Sequence, residues 1–142
     1  MSLRPPSGAP PPAIAEIGGR RVDLSAVAGE ICGRYYEQYP DEQQRYGSAG
    51  AEWCRHDNQW LLSWAVDDLL GATDLGQQVS WLAGVLHARD FPVSRLAHNL
   101  RIAAELIAEG SFGEASRPVA ARLEQAAATV AALDFGGDSP SA

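Results

Sequence analysis

An all-α domain of about five helices is predicted by three features of the sequence. Apolar residues recur at helical spacing in five segments, the connections between those segments are short, and no strand pair stands out beside them. Short connections favour antiparallel neighbours, hence a bundle or a globin-like packing of helices. The 142 residues are enough for one substantial core and do not call for a second domain. The expected organisation is a proline-rich tail over residues 1–15, one helical domain over 16–134 and a second tail over 135–142.

Residues 1–12, dominated by proline and small side chains, cannot supply a core. Ala13 to Val22 can form a short hairpin about Gly18 and Gly19, since alternating residues flank the glycine pair. The first helix is expected after a cap at Asp23 or Ser25, with Leu24, Val27, Ala28, Ile31, Cys32, Tyr35 and Tyr39 on its buried strip until Pro40 stops it. Asp41 to Gly47 reads as a short helical turn, and Ser48 as the cap of a long central helix that ends at Gly71.

That central stretch, Tyr46 to Leu70, carries three of the four tryptophans. At about 100° per residue Trp53, Trp60 and Trp64 share one stripe, widened by Leu61, Leu62, Cys54, Ala65 and Leu69. The stripe is expected to face the core. Asp57 projects between Trp53 and Trp60, and Asp68 falls close to the same line. A carboxylate in an apolar arc needs a partner or stays protonated, so a polar pocket walled by the tryptophans, with Tyr46 and Cys54 nearby, is the candidate ligand site.

Thr73 or Asp74 caps the next helix, whose core face is Leu75, Val79, Leu82, Ala83 and Leu86, with Trp81 and Val85 on a flank. Val93, Leu96, Ala97, Leu100, Ala103, Ala104 and Ile107 define the fourth helix, terminated by Gly110. Ser116 is the expected cap of the last, with Pro118 in its first turn and Val119, Leu123, Ala126, Ala127, Val130 and Leu133 inward.

A net charge of −7 repels nucleic acid phosphates and anionic membrane surfaces, so neither is an expected partner. No apolar run reaches a membrane span, and Cys32 and Cys54 do not make a disulfide framework, although one bridge between two helices is geometrically open. A cytoplasmic protein with reduced thiols is expected. His56, His87 and His98 occupy three different helices without HExxH, HxxxH or ExxH spacing, so no metal site is assigned. Cys54 and His56, two apart, point away from one another on a helix and make no dyad. No glycine-rich phosphate loop is present. No catalytic residue and no cofactor are assigned.

Tyr46-Gly47, Gly50, Cys54, Asp57, an aromatic at 60, Leu62 and an aromatic at 64 together resemble a bacterial all-helical sensory domain found alone or in front of cobalamin-binding and other regulatory domains. Trp81, Leu82, Val85, Leu86, Arg89, Pro92 and Leu96 are similar to the next part of that domain, and the resemblance covers about residues 22–110. It implies a sensory module rather than an enzyme. The family pattern has histidine after the aromatic at 60, where this chain has Leu61, and no DxHxxG cobalamin motif occurs.

The leading expectation is therefore a non-enzymatic regulatory domain that binds a protein partner or a second copy of itself. The partner surface is expected at Trp81 and Val85, unless the amino-terminal segment covers that flank, or at His98, Arg101 and Glu105, which share one helix face. The rival is a binder of an apolar or tetrapyrrole-type molecule among Trp53, Trp60, Trp64 and Cys54.

Overall fold

The computed structural model describes residues 8–135. A hairpin of β1 (Ile14–Ile17) and β2 (Arg20–Asp23) leads into α1 (Leu24–Gln38), α2 (Pro40–Leu69), α3 (Leu75–Ala88), α4 (Val93–Leu106) and α5 (Ser116–Ala131). A wide helical turn at Ile107–Ser111 and a tight one at Gly113–Ala115 join the last two helices. The fold is mostly α, with one small antiparallel sheet. Among the described residues no helix is long and apolar enough to cross a membrane.

The hairpin pairs Ile14 with Asp23 and Ile17 with Arg20. Gly18 and Gly19 both adopt positive φ, 58° and 75°, as a tight turn between right-twisted strands requires. Ile17 and Val22 are buried, so this ribbon contributes to the core rather than hanging from it. It also moves the boundary of the amino-terminal tail. Ile14 and Ala15 lie in β1, Ala13 accepts from the Leu24 amide at 2.8 Å, and Pro12 accepts from the Gln59 side chain at 3.3 Å. At the other end Phe135 stacks on His87 with centroids 4.4 Å apart, so it packs on the domain too. Residues 1–7 and 136–142 of the expected tails lie outside the described residues.

Asp23 caps α1 by accepting from the Ala26 amide at 3.0 Å, and Asp74 caps α3 through Gln77 at 3.1 Å. The expected cap at Ser116 is absent. Its hydroxyl instead accepts from the Phe112 amide at 2.9 Å and fixes the α4–α5 connection. The core lies where α4 packs on α5 and α1 on α2, with Leu24, Ile31, Leu62, Val79, Leu100, Leu123 and Val130 fully buried.

α2 starts at Pro40, earlier than Ser48, and is interrupted once. Gly47 has φ 59° and ψ −147°, a conformation that side-chain-bearing residues avoid, and it divides a short first segment from the long second one. Gly47→Ala is expected to cost about 1–3 kcal/mol. A urea titration checks this: the midpoint should fall while the slope is unchanged.

Candidate functional site

The buried residues of α2 are Glu42, Gly50, Asn58, Gln59, Leu61, Leu62, Ser63, Ala65 and Val66. Beyond the kink this arc centres on Leu62, and Trp53, Trp60 and Trp64 lie about 160–180° around the helix from it. The tryptophan stripe therefore lies opposite the buried arc of α2, with only Trp64 packing partly against the core, which corrects the expectation that the stripe as a whole faces inward. All three rings are half-buried at the surface. Trp60 and Trp64 stack with centroids 5.9 Å apart and planes 28° apart. Trp53 receives the edge of His56 at 5.2 Å and lies under the Arg89 guanidinium at 5.8 Å.

The Arg89 contact links the end of α3 to the α2 tryptophans. Trp81, Val85 and Arg89 are spaced by four and share one strip of α3. His87, on the opposite flank, stacks on Phe135 beyond α5. The strip ending in Arg89 thus approaches α2 at Trp53. Trp81 is 63% exposed, and Val85 is half-buried. Trp53, Trp60 and Trp64 share the outer side of α2, and Trp81 and Val85 lie on the strip of α3 whose end reaches Trp53.

Asp57 sits on this face, half-buried, with its carboxylate 3.0 Å from His56 Nδ1. Burial raises its pKa above the usual carboxylate value, and the His56 contact only partly offsets that. A carboxyl with a raised folded pKa contributes stability fully below its unfolded value of 3.8 and loses that contribution as pH rises through the folded pKa. Asp57→Asn, which is neutral throughout, is therefore expected to unfold at or above the wild-type temperature at pH 7. In thermal melts the difference should shrink towards pH 4.

Other residues singled out in the sequence separate from this face. Tyr46 lies before the kink, under the Arg45 guanidinium at 5.5 Å and packed against Gly50, where an added Cβ would collide with Tyr46 Cβ. Asp68 accepts from the Leu75 amide and from Arg122, both at 2.8 Å, and so ties α2 to the start of α3 and to α5. Cys54 points inward, towards Cys32 on α1. The Asn58 amide nitrogen reaches both sulfurs and donates to Asn99 Oδ1 at 3.2 Å, while Asn99 returns a bond of 2.8 Å to Asn58 Oδ1. This reciprocal amide pair satisfies two buried polar side chains across α2 and α4.

His98, Arg101 and Glu105 do not form one free patch. His98 Nδ1 lies 2.6 Å from the Tyr39 hydroxyl, whereas Arg101 and Glu105 are exposed on α4. Tyr39 belongs to a larger network at the α1–α2 elbow. Arg95 lies over its ring at 4.3 Å and donates to Glu42 at 2.7 Å and to Asp41 at 3.1 Å, and the Tyr35 hydroxyl donates to the same buried Glu42. Burial, reinforced by Glu42, holds the Tyr35 hydroxyl protonated far above its ordinary range.

Glu42, Arg95, Asn58 and Asn99 were not among the sequence candidates. For Asn58 a signal exists: with Cys54 and Leu62 it forms a strip spaced by four, which an arc centred on Leu62 would have included. Glu42 and Arg95 are 53 residues apart, and nothing local announces their pairing. No family model, no curated protein and no solved structure matches the chain.

Proposed function

We propose that this protein is a non-enzymatic regulatory domain that acts by binding a protein partner on the α2–α3 aromatic face. The observation that carries this reading is tryptophan at the surface of both helices: three half-buried rings on one side of α2, and Trp81, 63% exposed, on the strip of α3 whose end meets Trp53. Large aromatic side chains at the surface supply most of the binding energy where proteins associate, and contiguous exposed apolar area marks such sites. Among the described residues the polar groups at this face do not converge as a catalytic set: His56 and Asp57 are chain neighbours at its edge, and the buried Glu42 is already paired to Tyr35 and Arg95.

Charge indicates the kind of partner. The chain carries −7, and Asp57 and Asp67 flank Trp60 and Trp64 on the same side of α2. A helix with an apolar strip bordered by lysine or arginine matches both features. The sensory-module resemblance supports the same class of function, in which a helical domain transmits state by contact. The alternative binder reading draws on the same tryptophans, but Cys54, its fourth wall, turns away from them into the core.

A synthetic amphipathic helix of about 18 residues, leucine on one face and lysine on the other, tests the proposal by fluorescence anisotropy. Saturable binding in the range of about 1–100 μM, weakened by salt, is expected. Absence of saturable binding at low salt would remove the basis for a cationic partner.

A further inference from the structure

Cys32 on α1 and Cys54 on α2 carry free thiols that meet the same side chain, Asn58, across the contact between the two helices. One amide nitrogen, that of Asn58, lies 3.7 Å from Cys32 Sγ and 3.6 Å from Cys54 Sγ. It also donates to the Cys54 carbonyl at 3.0 Å and to Asn99 Oδ1 at 3.2 Å. The group that touches both sulfurs is thus fixed from its own helix and from α4. Plain packing does not require this arrangement, since alanine or valine would fill the same space without a polar partner.

Two further properties suit the pair to a defined reaction. Cys32 is 7% exposed and Cys54 half-buried, so the thiol of another chain has no route to Cys32, whereas a molecule near the size of water can approach the pair from the Cys54 side. The two thiols also differ in acidity. The neighbouring Cys54 thiol lowers the pKa of Cys32, with Asn58 adding to the effect, while the Cys32 neighbour and burial raise that of Cys54.

We propose that Cys32 and Cys54 form an oxidation site that reacts with hydrogen peroxide and closes to an intramolecular disulfide between α1 and α2. In the first step a thiolate of the pair attacks one peroxide oxygen: the S–O bond forms, the O–O bond breaks, and the departing hydroxide takes a proton to leave as water. That sulfur is oxidised by two electrons to a sulfenic acid, and the peroxide is reduced. In the second step the other sulfur, its proton released, attacks the sulfenyl sulfur. The S–S bond forms, the S–O bond breaks, and a second water leaves with that proton. Two thiols and one peroxide give one disulfide and two waters. Asn58 keeps the Cys54 carbonyl and Asn99 as acceptors, so closure strands no buried amide proton.

The test treats the reduced, folded, full-length chain with hydrogen peroxide. The sample is then quenched, unfolded in urea with N-ethylmaleimide, and read by intact mass and tryptic mapping. The expected product is monomeric, lighter by two hydrogen atoms, resistant to alkylation and restored by dithiothreitol. Its map should join the peptide Val22–Arg34 to Tyr46–Arg55. Cys32→Ser and Cys54→Ser should each abolish the joined peptide. Three results in the wild-type chain would overturn the proposal: oxygen added to either sulfur without a cross-link, disulfides formed only between chains, or thiols that remain fully alkylated.

Discussion

Glu42→Ala will lower the stability of the fold by about 3 kcal/mol, a loss expected when one partner of a buried, hydrogen-bonded ion pair is removed. Glu42 is buried and accepts from both Tyr35 and Arg95. Without it the Tyr35 hydroxyl is left in the core without that acceptor, and the Arg95 guanidinium keeps the exposed Asp41 as its carboxylate partner beside the Tyr39 ring. Glu42→Gln retains an acceptor for Tyr35 but no charge for Arg95, so a smaller loss of about 1–2 kcal/mol is expected. In thermal melts the alanine variant should unfold roughly 10 °C below wild type. Equal midpoints for all three proteins would show that the network does not hold the α1–α2 elbow against α4.

Trp60→Ala will weaken binding of the leucine–lysine helix by about 30-fold, equivalent to about 2 kcal/mol, the scale of a central aromatic anchor. Trp81→Ala should act in the same direction. Because Trp81 is 63% exposed, its removal should change stability by no more than about 0.5 kcal/mol. Titrations of both variants beside Leu100→Ala, a core substitution, separate loss of the face from loss of the fold. Leu100 is fully buried, so its alanine variant should lose stability yet keep its affinity while folded.

Local features of the fold were legible in the sequence. The caps at Asp23 and Asp74 act within three residues of themselves, and the apolar spacing of α4 is regular enough to fix its buried strip. The hairpin about Gly18 and Gly19 was legible for the same reason, because a glycine pair supplies the positive φ that a two-residue turn needs. The orientation of α2 was not. Three tryptophans dominate any apolar projection of that helix, whereas its buried arc includes Asn58, Gln59 and Ser63, which read as polar. Their burial depends on partners elsewhere in the chain: Asn99 for Asn58, and the Pro12 carbonyl for Gln59.

The same limit governed the candidate site. Asp57 was recognisable as a carboxylate on the tryptophan side of α2, and its carboxylate lies 3.0 Å from His56 Nδ1. Tyr46 was grouped with it because the kink at Gly47 does not register in a helical projection, and Cys54 because a broad apolar arc hides which half of it is buried. Pairings such as Glu42 with Arg95 and Cys32 with Cys54 join residues far apart in the chain. Such contacts appear only once the helices are assembled.

The most direct measurement is a proton–nitrogen correlation spectrum of the labelled chain, recorded as the leucine–lysine helix is added. The four indole N–H signals report on the aromatic face itself. If that face is the docking surface, the indole signals of Trp53, Trp60, Trp64 and Trp81 should shift together, along with backbone signals of α2 and α3, while those of α5 stay in place. Shifts concentrated on α4 and α5 with the indole signals unmoved would contradict it.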